Sequence, residues 1–212
     1  MLRQTEWIIF LLIHQALKDE LKENDLTEFL NKKLTAETSV EESDRDKLLV
    51  SIREDIVRYY DSETYRSILP YKNYRNEFEI YCEEGEHYLY GIIDKLIIEK
   101  DRLIIVDYKT DNITPQQLAS RTGDYLPQLK FYAYILSKLY KEYNRFDLRL
   151  IFLKQVDQAA AKEISRDELK SFGKELTLSI RNIHSNKFEP NLNHCSKCHF
   201  ALERNQCIKS FS

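Results

Sequence analysis

Residues 91–109 read GIIDKLIIEKDRLIIVDYK, two apolar runs on either side of Lys100-Asp101. Runs of this length, rich in Ile, Leu and Val, are strand-like. If Glu99 and Arg102 close a two-residue hairpin, every residue pairs with its mirror image about that turn. Ile98 then faces Leu103, Ile97 faces Ile104, Leu96 faces Ile105 and Ile93 faces Tyr108, while Glu99 meets Arg102 at the turn. Apolar and opposite-charge pairs of this kind stabilise a ladder. The same register sets Asp94 directly opposite Asp107. Side chains alternate along a strand, so Lys109 joins both aspartates on one face.

Two facing carboxylates repel, at a cost to the sheet unless one is protonated or a cation lies between them. A hard divalent cation, which takes oxygen ligands, resolves the conflict. A nearby ammonium then suits a substrate whose negative charge grows during reaction. The other account is a solvated hairpin face with scattered charges. Against it, Asp-Tyr-Lys ends an almost continuous apolar run, where solvated charge is least expected.

Working outward, FEIYCEE and YLYGIIDKL flank Gly85-Glu-His and begin the antiparallel part of a sheet. Glu77, just before the first of these strands, is a further candidate carboxylate. Residues 5–23 predict a helix on which Phe10, His14, Leu17 and Leu21 share a face. A histidine in an apolar stripe is ordinarily a satisfied core residue; with Asp94 and Asp107 in view, His14 completes a mixed nitrogen and oxygen site. Residues 25–34 predict a short helix, and Ser43 with Asp46 precedes a longer one reaching about Tyr60. Downstream, Thr114-Pro115 opens a short helix to about Ser120. The next helix, from about Leu126 to Tyr143, places Gln128 and Tyr132 on one face and Leu129, Ala133 and Leu136 toward the core. Phe146–Leu153 alternates as a strand, and Ser165 with Glu168 forms a capping box for a helix to about Ile183. This path predicts an α/β fold, a mixed central sheet flanked by helices.

Taken together, Gly91-Ile-Ile-Asp94, Asp107-Tyr-Lys109-Thr and the later Gln128 and Tyr132 resemble the nuclease domain of the RecB and AddAB type, within the PD-(D/E)XK nuclease superfamily. LIHQALKDE near the start is similar to the motif in which a helical histidine binds the metal, although the customary Gly-Thr before it is replaced by apolar residues. Asn76-Glu77-Phe78-Glu79 resembles the acidic position before the first core strand, Glu77 being the better match. These matches run from about residue 10 to the C-terminus. The resemblance implies a restriction-endonuclease-like core with an N-terminal helical region. It implies Mg2+ or Mn2+ held by His14, Asp94, Asp107 and the Tyr108 carbonyl, with Lys109, Gln128 and Tyr132 at the reacting phosphate. The implied activity is phosphodiester hydrolysis in DNA, of the exonuclease type that processes ends in recombination and repair. The competing reading is a catalytically silent nuclease fold serving as a DNA- or protein-binding module of a helicase–nuclease complex. No GxxxxGK followed by Ser or Thr occurs, so the chain is not its own ATP motor. DNA and a helicase subunit, or a helicase domain of a longer parent chain, are therefore the expected partners.

Composition bounds the rest. The 212 residues, 42% apolar and 12% aromatic, suit one globular domain: a helical region over 1–70, the sheet and motifs over 71–155, and a C-terminal helix with a Cys-rich tail over 156–212. Net charge is -3, but residues 1–120 carry -9 and residues 121–212 carry +6, so a basic half is available to phosphates. The longest apolar run, Trp7–Ile13, is too short for a bilayer, and no signal peptide precedes it, which predicts a cytoplasmic protein without membrane contact. Cys195, Cys198 and Cys207 near the C-terminus have partial metal-ligand spacing. Some relatives hold a 4Fe-4S cluster with such a trio plus an upstream cysteine absent here. Zn2+ completed by His194 or His199, a 4Fe-4S cluster, and unligated thiols all stay open.

Overall fold

The structure, a computed structural model, describes residues 2–187, 201–202 and 206–207. It divides into two compact units, Met1–Lys170 and Ser171–Ser212. The first unit opens with four helices: α1 (Leu2–Lys18), α2 (Glu23–Ala36), α3 (Glu42–Asp61) and α4 (Glu63–Ile68). The strands β1 (Tyr74–Glu84), β2 (His87–Ile98) and β3 (Leu103–Lys109) follow. A crossover helix α5 (Leu118–Leu139) then leads to β4 (Arg145–Phe152) and β5 (Ala160–Ser165). Helix α6 (Arg166–His184) spans the boundary, and β6 (Ala201–Leu202) pairs antiparallel with β7 (Gln206–Cys207) in the second unit. Among the described residues no helix is long and apolar enough to cross a membrane.

The sheet order is β1-β2-β3-β4-β5, parallel only between β3 and β4, where α5 supplies the crossover such a pair needs. Ile97, Ile104, Val106, Tyr108 and Ile151 share one core with Ile13, Ala16, Leu30, Ile56 and Tyr59 of α1–α3. Helix α5 packs on β1 through β4. The predicted hairpin is present in its predicted register: Leu96 pairs with Ile105, Ile97 with Ile104 and Ile98 with Leu103, and Glu99 N–H bonds to the Arg102 carbonyl at 3.0 Å.

Several boundaries differ from the sequence expectation. The β2–β3 ladder stops at Lys95 opposite Val106, so Asp94 and Asp107, and Ile93 and Tyr108, are not ladder pairs. Helix α1 ends at Lys18 rather than residue 23, because Glu20 turns left-handed (φ 53°) and Leu21 N–H bonds back to the Ala16 carbonyl at 2.9 Å. Helix α3 begins before Ser43, its N-cap being Glu41 with no side-chain cap bond. The two helices expected between Thr114 and Tyr143 are one continuous path. A 3-10 turn, Pro115–Gln117, capped reciprocally by Thr114 and Gln117, runs straight into α5, which passes through Pro127 and ends at Leu139. Edge strand β5 has no counterpart in the sequence expectation; only Ile164 in it is fully buried, so it carries little apolar alternation. The Ser165–Glu168 capping box is present, with Glu168 Oε2 accepting from Ser165 N–H at 2.8 Å and Glu168 N–H donating to Ser165 Oγ at 3.3 Å. Cys195 and Cys198, with His194 and His199, lie outside the described residues, as does the side chain of Cys207.

Candidate active site and metal centre

The hairpin of β1 and β2 changes sides partway along its length. Near its base, Tyr74 and Asn76 bond to the end of α1, and Ile97 enters the α1–α3 core. Beyond, Gly91, of the same parity as Lys95 and paired with Ile80, lies against Tyr132 of α5, and Glu84, of the same parity as Asn76, accepts from Tyr134 of the same helix. Alternation has therefore reversed once on each strand. The reversal sits at Glu77 and Asp94: Asn76 pairs with Lys95 and Phe78 with Ile93, yet the two residues between are unpaired, and Glu77 is left-handed at φ 48°. A non-glycine residue in that region costs about 1–2 kcal/mol, so the surrounding structure must hold it there.

Asp94, released from pairing, turns its carboxylate toward β3 and accepts the Tyr108 N–H at Oδ2, 2.7 Å. Its other oxygen lies 3.3 Å from His14 Nδ1, and Glu77 Oε1 lies 3.8 Å from the same nitrogen. One ligand-type atom from each of His14, Glu77 and Asp94 lies within 4.8 Å of the others. Burial works against an imidazolium at His14, but hydrogen bonds and charge from Asp94 and Glu77 outweigh it and raise the pKa to about 9.

Asp107, by contrast, is ion-paired to Lys109, Nζ to Oδ2 2.6 Å. Burial, then the Asp94 charge, push its carboxyl above the usual range, with Lys109 acting in the opposite direction. Lys109 Nζ donates to Gln128 Oε1 at 3.0 Å, and Gln128 Nε2 donates to the Tyr132 hydroxyl oxygen at 2.7 Å. His14, Glu77, Asp94, Asp107, Lys109, Gln128 and Tyr132 all line one cavity of about 310 Å³, with Phe10, Leu11 and Ile92 as apolar wall. The grouping joins the predicted residues but redistributes them: His14 and Glu77 gather at Asp94, whereas Asp107 is bound to the lysine. Tyr108 turns its side chain away into the α1–α3 core, its hydroxyl 2.9 Å from that of Tyr59.

Sequence reading missed what holds His14 in place. Glu20, in its left-handed turn after α1, accepts from Lys95 Nζ and Tyr74 O–H, each at 3.0 Å, and Asn76 Nδ2 donates to the Lys18 carbonyl at 2.9 Å. Asn76 and Lys95 are the neighbours of Glu77 and Asp94, so this clip sets α1 directly over the site. Its only sequence signal was Lys95, a charge inside an apolar strand and 7% exposed in the fold.

The donor set fits a hard cation. His14 Nε2 is buried without a hydrogen-bond partner among the described residues, three carboxylates share one cavity, and a charge midway would relieve their repulsion. Comparison with known proteins gives the same direction. A family model described as the PD-(D/E)XK nuclease superfamily matches residues 11–202. One chain of the ATP-dependent helicase/nuclease of Streptococcus thermophilus, taken from two strains, aligns at 32% identity over 146 residues and 31% over 145, in each case 65% of this chain. The chain spans only 11% of those relatives' length. A solved Eubacterium rectale protein, provisionally assigned as an exonuclease, shares the fold with TM-score 0.51 and 16% identity over 95% of this chain and 78% of that one.

Proposed function

This chain belongs to the PD-(D/E)XK nuclease superfamily, and on that premise and the geometry of the cavity we propose that it is a divalent-metal-dependent deoxyribonuclease, of the exonuclease type that processes DNA ends. The observation that carries the reading is the convergence of His14, Glu77 and Asp94 beside the Asp107–Lys109–Gln128–Tyr132 chain in one cavity. His14, Asp94 and Asp107 would hold Mg2+ or Mn2+, with Glu77 and the Tyr108 carbonyl as further oxygen donors. Such an ion supplies Lewis acidity toward phosphate oxygens and an acidified water.

The chain's own residues do the remaining work. Lys109, its side chain 11% exposed, places a positive charge where negative charge develops on the phosphate. Gln128 fixes the direction of that ammonium through its carbonyl, and Tyr132 fixes Gln128 through its amide. Partnership with a helicase, as a separate subunit or a domain of the same chain, is proposed from the relatives, in which the matching stretch is part of a helicase/nuclease chain.

The test is cleavage of linear and circular, single- and double-stranded DNA over a Mn2+ or Mg2+ titration, beside Asp94→Ala, Asp107→Ala and Lys109→Ala with folding checked by circular dichroism. Metal-dependent cleavage lost in each variant supports the proposal. DNA binding without cleavage by the wild type would instead assign the chain to the silent-module reading.

A further inference from the structure

Lys109 Nζ has three hydrogens and, among the described residues, three neighbours: Asp107 Oδ2 at 2.6 Å, Gln128 Oε1 at 3.0 Å, and the ring of Tyr125, whose centroid lies 4.3 Å away. The second and third come from α5, three residues apart, and so approach from one side of the helix. Tyr125 is itself fixed. Its hydroxyl lies 3.0 and 2.9 Å from the two oxygens of Asp111, which accept its proton; Asp111 is ion-paired to Arg121, and Phe152 packs 6.2 Å from the ring.

Asp107 is claimed twice in this site, as partner of Lys109 and as a donor toward a cation. A carboxylate serving a cation holds an ammonium less firmly, so a lysine positioned by Asp107 alone would lose its place when it is needed. An aromatic face has no such conflict: it attracts an ammonium through its quadrupole and offers no lone pair to a hard metal ion. We propose that Tyr125 is a second positioning residue of Lys109 beside Gln128, its ring holding the ammonium at the cavity independently of Asp107. The proposed effect on turnover rests on the nuclease reading of the cavity, whereas the placement of the lysine does not.

The experiment compares wild type, Tyr125→Phe and Tyr125→Leu by two readouts. The first is the NMR shift of the Lys109 Cε protons in metal-free protein, assigned by their loss in Lys109→Arg. Over a ring face these protons are displaced upfield; Tyr125→Leu returns them downfield and Tyr125→Phe keeps them upfield. The second is steady-state cleavage, in which Tyr125→Leu lowers kcat about fivefold with KM for DNA little changed, and Tyr125→Phe restores most of it. A Lys109 resonance that does not move in Tyr125→Leu overturns the proposal whatever the activity. A Tyr125→Phe that behaves as Tyr125→Leu overturns it too, by giving the role to the hydroxyl and Asp111. Absence of cleavage by the wild type refutes the nuclease reading alone, and the resonance still decides the placement.

Discussion

Gly91→Ala tests the geometry without reference to catalysis. A Cβ at position 91 would lie 2.7 Å from Tyr132 Cε1 and 3.0 Å from Cδ1, against the 3.4 Å at which ordinary contact begins, so the ring must retreat by about 0.7 Å. Retreat is opposed because Tyr132 is 8% exposed and its hydroxyl is tied to Gln128. Overpacking of this kind costs about 1–3 kcal/mol, while Gly→Ala at an ordinary φ returns about 0.4–1 kcal/mol by restricting the unfolded chain. The net loss of about 1–2 kcal/mol corresponds to a fall in Tm of about 2–8 °C for a chain of this size. Urea and thermal unfolding of Gly91→Ala, Tyr132→Ala and the double variant isolate the contact. With the ring gone the alanine has room, so Gly91→Ala becomes neutral or stabilising in the Tyr132→Ala background. Equal destabilisation in both backgrounds would refute the reasoning, since the clash would then lie elsewhere.

Three further outcomes are expected. His14 has a pKa of about 9 in the metal-free fold against an ordinary 6.5, so its contribution to stability is full below pH 6.5 and lost as pH rises through 9. Metal ligation needs the neutral imidazole, and Mn2+ calorimetry at pH 7.5 in two buffers of different ionisation enthalpy should report release of about one proton; no release would remove His14 from the ligand set. Asp107→Asn should abolish cleavage yet raise the Tm of the metal-free protein at pH 7.5. Burial and Asp94 raise this carboxyl's pKa, so its ionised form is a burden the amide lacks, and the gain should shrink as pH falls toward 4; a lower Tm in the variant would contradict this. Lys95→Met breaks the clip with Glu20, and hydrogen exchange should speed up at Leu17 and Lys18 while the β3 amides stay protected; unchanged exchange would show that Asn76 alone holds the end of α1.

The parts legible in the sequence were those set by local pattern. Alternation and a two-residue turn placed Leu96, Ile97 and Ile98 correctly against Ile105, Ile104 and Leu103, because a one-residue slip would have turned every one of those side chains to the wrong face. The capping box at Ser165 is a contact over three residues, and it too was readable. Asp94 and Asp107 line one cavity, but they are not the cross-strand pair that the hairpin register implied. The break that separates them depends on Glu77 adopting a left-handed conformation, for which a glutamate gives no signal. The clip through Glu20 and Lys95 was invisible for a related reason: its partners lie 75 positions apart, and only the fold reveals that they meet. Helix α5 starts at Leu118, upstream of the expected Leu126, and carries Pro127 in its interior, where a proline ordinarily breaks a helix.

His14 is synthesised well before its companions at Glu77, Asp94 and Asp107, so a chain still being made does not possess the cavity until α1 has waited for the sheet to form beneath it. A fragment cut between α1 and the sheet keeps both aspartates and the lysine but lacks the imidazole and the lid that α1 forms over them. On the proposed nuclease reading, catalytic competence is thereby made a certificate of completed folding.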